Sequence, residues 1–199
     1  EIGSGLVGSE MCIRDRYMPS IMRDFPEFHY DEMKSRAENV LTSYLQSITK
    51  QNPALLSEGT RELKEQLRLR LEMLQNQSQK ESFENIHIHR TEIHQYRKQR
   101  GRQSIVLQTA VEYFHALKEN GKVIRGSEEH KEQAKYNVEL VYIQDQDMIE
   151  NQEDAGLGLN CPNCGAPLPG LGAKKCIYCD TPIVEYNLRV WNFSRVEEV

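Results

Sequence analysis

Four cysteines stand as Cys161-Pro-Asn-Cys164 and Cys176-Ile-Tyr-Cys179. In each pair a two-residue spacer lets one tight turn aim both sulfurs at a single point. Two such knuckles joined by a short hairpin supply the four corners of a tetrahedron, the arrangement that holds one structural Zn²⁺. Gly165 follows the second cysteine, where a left-handed backbone turns amides toward sulfur. Lys174 and Lys175 are placed to offset the negative charge of four thiolates. Four thiolates leave no open coordination position for a substrate, so the expected metal folds its segment and does not react. Three other chemistries use the same residues. Two disulfides need an oxidising compartment and suit CxxC knuckles poorly. A redox CxxC is normally single and sits on a βα unit. Iron in a four-thiolate site is geometrically allowed. The zinc reading implies reduced thiols and a cytoplasmic setting, or the cytoplasmic face of a membrane.

Other reactive side chains are sparser. Arg97, Lys98, Arg100 and Arg102 form the one basic concentration in the chain, at an expected hairpin tip. Such a cluster is either a solvated turn or an anion site for phosphate headgroups or RNA. His87 and His89 share a strand face, with His94 and His115 within reach of a paired-histidine metal site, against the plainer reading of a solvated sheet face. Glu128, Glu129 and Glu132 lie with His130 in an expected polar connection. No phosphate-cradling glycine loop, G-x-S-x-G motif or carboxylate pair marks an enzyme.

The formal charge of −5 argues against general affinity for nucleic acid or anionic membrane. A hydrophobic content of 38% with 28% charged residues is that of a polar globular chain, and no apolar run has bilayer length. Residues 1–16 are expected to be foreign to the fold. The stretch Leu6-Val-Gly-Ser-Glu-Met-Cys-Ile-Arg-Asp15 back-translates to something resembling a sequencing adapter read in frame, and it lacks periodicity.

The elements that must position these groups follow from periodicity. Residues 17–29, with Pro19, Pro26 and scattered aromatics, are expected to be an extended lead-in. A helix capped by Asp31 should run to about Lys50, with Ala37, Val40, Leu41, Tyr44, Leu45 and Ile48 on one face. Asn52-Pro53 ends it. A second helix from about Thr60 carries Leu63, Leu67, Leu71 and Leu74, a stripe widened by Leu69 and Met73. The period then becomes two around Ile86 and Ile88, over Ile105–Tyr113 and over Ala134–Tyr142, with turns near Gly101 and Asn120-Gly121. The fold class is therefore α+β: a two-helix layer packed on an antiparallel sheet over residues 30–144. Residues 145–160 read as an acidic flexible linker, and residues 161–199 as the zinc ribbon with an aromatic tail. Tyr178, Tyr186, Trp191 and Phe193 are then either a small core against the ribbon or an exposed partner-binding strip.

The order of helix, Leu-rich helix, Phe83-Glu-Asn-Ile86 entering a first strand, and long strands at 104–115 and 135–144 resembles the Tim-forty-four-like domain family. Bacterial members are similar in carrying a C-terminal zinc ribbon and an aromatic tail, here Glu185–Ser194. The resemblance implies a curved sheet in a cone similar to nuclear-transport-factor-two proteins. It also implies an apolar pocket, with Leu63, Leu67, Leu71, Ile105, Leu107, Val138 and Leu140 as its expected lining. The last long strand lacks the tryptophan expected there. The implied function is a non-enzymatic scaffold or binding protein with a protein partner, membrane-peripheral and transport-related. The alternative is an RNA- or ribosome-associated zinc-ribbon protein. Nothing in the pattern sets an oligomeric state.

Overall fold

The computed structural model describes residues 9–99, 102–143, 178–179 and 190–199. Helix α1 spans Ser9–Asp24, α2 Tyr30–Lys50 and α3 Arg61–Asn76, with a 3₁₀ turn at Pro53–Leu55. Strands β1 (Gln79–Gln99), β2 (Arg102–Glu119), β3 (Lys122–Ile143) and β4 (Val190–Glu198) form one antiparallel sheet in the order β1-β2-β3-β4. The α+β class is thus as expected.

Helices α2 and α3 follow the apolar spacing closely. Helix α2 is capped at His29, two residues earlier than a cap at Asp31, and Asp31 and Glu32 fall in its first turn. Their charges complement the positive end of the helix dipole there. Gln51 adopts a left-handed conformation at the C-cap, and the Asn52 side chain accepts from the Ala54 amide in the turn that follows. Thr60 caps α3 by accepting from the Leu63 amide at 3.5 Å. Leu63, Leu67, Leu71 and Leu74 are buried, whereas Leu69 and Met73 face outward and do not widen the stripe.

The sheet buries one face. Alternate residues Ile105, Leu107, Thr109, Val111, Tyr113 and His115 of β2 face the helices, as do Tyr136, Val138, Leu140 and Tyr142 of β3. Polar residues such as His87, Arg90, Glu92, Gln108 and Glu112 lie on the other face, the alternation expected of a half-covered antiparallel sheet. The β2–β3 connection is a two-residue turn at Asn120-Gly121 with φ of 50° and 80°, the mirror-image turn whose twist matches paired strands. The strands exceed their expected lengths, and Glu128 to Glu132 lie within β3 and not in a connection.

Two segments depart from the sequence reading. Residues 17–24 are helical and not an extended lead-in, because burial overrides the weak helical signal around Pro19. Ile21, Phe25 and Phe28 enter the core; the Phe25 ring lies 4.4 Å from that of Tyr142 and 4.8 Å from that of Trp191. Of the tail aromatics, Trp191 and Phe193 belong neither to a ribbon core nor to an exposed strip; the segment that carries them, Val190–Glu198, is placed in the main sheet. It is β4, paired with β3 from Tyr136↔Glu198 to Ile143↔Val190, with Trp191, Phe193 and Val196 buried in the main core. The domain therefore extends beyond residues 30–144 at both ends.

Both outer strands are closed by helical residues. On β4, Arg36 donates to the Trp191 carbonyl at 2.9 Å, the Thr60 amide to the Phe193 carbonyl at 2.8 Å, and Gln66 bonds both backbone groups of Val196. On β1, the Tyr30 hydroxyl donates to the Thr91 carbonyl at 3.0 Å, and the Phe83 amide donates to Thr49 Oγ1 at 2.9 Å. Such ties occupy backbone groups that an open sheet edge would offer to another chain. If β4 is core, Phe193→Ala should cost about 3–5 kcal/mol in urea unfolding. Leu69→Ala on the exposed face of α3 should stay within about 0.5 kcal/mol. Equal effects would remove β4 from the core.

Candidate functional site

Of the four expected zinc ligands, Cys161, Cys164 and Cys176 lie outside the described residues, as do the expected linker and Tyr186. Cys179 is half-buried in a turn with the exposed Tyr178. The described strands do fix the two ends of this stretch. Ile143 closes β3, Val190 opens β4, and the two are register partners. Residues 144–189 therefore leave and rejoin the sheet at neighbouring positions.

Two members of the basic cluster, Lys98 and Arg102, are neutralised. Lys98 pairs with Asp24, holding the Asp24 carboxyl below its ordinary value. Arg102 makes two bonds to the Glu62 carboxylate at 3.0 and 3.1 Å and stands 3.8 Å from Glu139. The Arg97 Nε donates to Gln95 on its own strand, and Arg100 lies outside the described residues. Carboxylates from α1, α3 and β3 thus face a cluster that looked isolated in the sequence.

The histidines divide. His87 and His89 do share the exposed face, with rings 4.9 Å apart, and His89 stands 3.9 Å from Glu112. His115 is on the opposite, buried face and does not join them. Among the described residues no group of three or more His, Cys, Asp or Glu side chains could hold a metal ion.

His115 instead anchors a buried ionic network that motif reading missed. Its Nε2 lies 3.1 Å from Glu81 Oε1 and its Nδ1 3.3 Å from Glu132 Oε2. Ionised carboxylates only accept, so this geometry suits a protonated ring that donates from both nitrogens. Arg70 of α3 reaches the other Glu81 oxygen at 2.6 Å, and the Phe83 ring stacks on His115 at 4.8 Å. The hydrogen bond that His115 donates to Glu81 raises the His115 pKa above its ordinary 6.5; burial opposes this, and the charges of Glu81 and Glu132 add to the rise. Burial alone would raise the Glu81 carboxyl, but His115 and Arg70 outweigh it and hold it below 4.5. Beside this network the Tyr113 and Tyr136 hydroxyls bond at 2.9 Å, and burial pushes Tyr113 up to about 12. Gly126, at φ +78°, passes so close that an added Cβ would stand 2.1 Å from the His115 carbonyl oxygen.

The signal for this network was present but scattered. His115 continues the inward alternation of Ile105 to Tyr113, whereas Glu81 sits in a polar stretch with no apolar alternation to place it. With side chains only 7% and 6% exposed, His115 and Glu81 have no access to a reactant, so their chemistry is structural.

No protein-family model matches the chain, nor does any curated protein. No helix among the described residues is long and apolar enough to cross a membrane.

Among the described residues, two clefts open to solvent bear on the expected sites. A small one, about 90 Å³, lies on the exposed sheet face around Ile93, Arg90 and Lys135. A larger one, about 580 Å³, runs beside β4 between Gln66 and Glu62 of α3 and Arg97, Arg102, Glu139 and Arg195 of the sheet. Neither is lined by the residues expected to form an apolar pocket. Leu63, Leu67, Leu71, Ile105, Leu107, Val138 and Leu140 are all packed into the core at 0–6% exposure, because helices and β4 fill the space they face.

The network has a defined pH signature. His115 is raised on folding, so its contribution is complete below about pH 6.5 and is lost as pH rises through the folded value. Glu81 is lowered, so its contribution is complete above about pH 4.5 and is lost as pH falls through its folded value. His115→Gln should reduce unfolding free energy by about 3–5 kcal/mol near pH 6.5 and flatten the alkaline limb of the native stability profile. Parallel alkaline limbs in the two proteins would show that His115 is neutral in the fold.

Proposed function

We propose that the chain is a non-enzymatic binding and scaffold protein of the Tim-forty-four-like type, with a zinc ribbon inserted between β3 and β4. In this reading the α+β domain is a cone, membrane-peripheral on the cytoplasmic side and transport-related, with a protein partner. One Zn²⁺ is held by Cys161, Cys164, Cys176 and Cys179, and its role is to fold the inserted segment.

The observation that carries the reading is the pairing of Ile143 with Val190. A segment whose two ends meet in adjacent strands is an insertion within the domain, the arrangement by which a scaffold can carry a contact module. Metal closure would also shorten the connection that β4 must tolerate. The gain is small, because loop closure changes by only about 0.6 kcal/mol per doubling of length. The domain's own core therefore does most to hold β4.

The RNA-associated reading is weakened by the pairing of Lys98 with Asp24 and of Arg102 with Glu62. Neutralised bases release few counterions from a polyanion.

Native mass spectrometry should find one zinc per chain, and Cys176→Ser should lose it. Unfolding free energy of the α+β domain should then change by less than about 1 kcal/mol. Unaltered zinc content in Cys176→Ser would exclude this ligand set. RNA affinity that falls steeply with salt and with Arg97→Gln would restore the alternative.

A further inference from the structure

The larger cleft, about 580 Å³, is within the size range of clefts that hold small organic ligands. Its lining is charge-balanced, with the guanidinium groups of Arg97, Arg102 and Arg195 and the carboxylates of Glu62, Glu139 and Glu197. These six are not equivalent. Arg102 is committed to Glu62 and lies near Glu139, and Glu139 also accepts from the Ser194 hydroxyl at 2.8 Å. That inner group ties α3, β2, β3 and β4 together and leaves little capacity for a ligand.

The other three charges have no ion pair among the described residues. Arg97 spends its Nε on Gln95, which leaves the two terminal nitrogens of its fork. Arg195 and Glu197 are exposed, on the same strand two residues apart, so both project to one side of β4. Arg97 approaches from the end of β1, across β2 and β3 from β4. The cleft thus offers two guanidinium forks, suited to bidentate carboxylate recognition, and one carboxylate suited to an ammonium.

We propose that this cleft binds a small zwitterion bearing both a carboxylate and an ammonium group, of the free amino acid or short peptide class. The carboxylate is held between Arg97 and Arg195, and the ammonium is held by Glu197. A polyanion is disfavoured, because three carboxylates line the same cleft. This site is independent of the zinc reading, and each stands or falls by its own measurement.

The test uses the full chain, with glycine and triglycine as zwitterionic probes and acetate and inorganic phosphate as anionic controls. Amide chemical-shift titration should move residues around Gln66, Arg102 and Arg195 with a zwitterion. Glycine binding alone assigns the site to free amino acids, and stronger triglycine binding assigns it to peptides. Arg97→Gln and Arg195→Gln should each weaken binding about tenfold or more, as loss of a charged hydrogen-bonding partner does. Glu197→Gln should weaken the zwitterion while leaving acetate unchanged or slightly tighter. All three substitutions are at exposed side chains, and unchanged melting temperatures would confirm that each variant is folded. Saturation by neither zwitterion at millimolar concentration, acetate or phosphate binding as tightly as the zwitterions, or insensitivity to Glu197→Gln would each overturn the proposal.

Discussion

The architecture rests on the backbone of β4. One edge of this strand pairs with β3, and the other is met by Arg36, Thr60 and Gln66 from the helical layer. A nine-residue strand alone would contribute few ladder bonds, and its outer carbonyls would remain an open edge. With both edges occupied, Trp191, Phe193 and Val196 are held against α2, α3 and the turn after α1. Phe25 and Phe28 pack edge-on against the Trp191 ring, which links the segment after α1 to β4.

The two ends of the sheet do different work. At the end where β1 begins, Glu81, His115, Glu132 and Arg70 join three strands to α3 through buried charge. Opposite charges are matched there, so the desolvation cost of the buried pair is offset by its neighbours, and loss of His115 would leave the buried Glu81 with Arg70 alone. At the other end, the basic turn between β1 and β2 lies beside the points where residues 144–189 leave and return. Lys98 there is met by Asp24, and Arg102 by Glu62 and Glu139. One end is an ionic clamp built on the buried His115–Glu81 pair. The other carries the base of the cysteine segment, with the open, charge-balanced cleft running from there along β4.

Much of the helical layer and the middle of the sheet was legible from local pattern. The three- and four-residue steps of Ala37 to Ile48 and Leu63 to Leu74, and the alternation over Ile105 to Tyr113, record which face each element buries. Asn120-Gly121 names its own turn. Helix α1 was not legible, since Pro19 lowers its propensity and Phe25 and Phe28 are buried by a tryptophan distant in sequence. The seven apolar residues expected to line a pocket were correctly read as facing inward, but sequence does not say whether the space they face is empty or filled.

The spacing of Cys161, Cys164, Cys176 and Cys179 determined by itself the chemistry expected there, because ligand geometry depends on residue type and short separations. The apolar periods likewise determined the α+β class and the buried faces, because periodicity is a local property of helix and strand. Tertiary structure alone decided that Trp191 and Phe193 complete the main sheet, that His115 faces two carboxylates, and that Lys98 and Arg102 are neutralised. Each of these joins residues far apart along the chain, and the energy of such a pair is set by its distance in the fold, which no local pattern records.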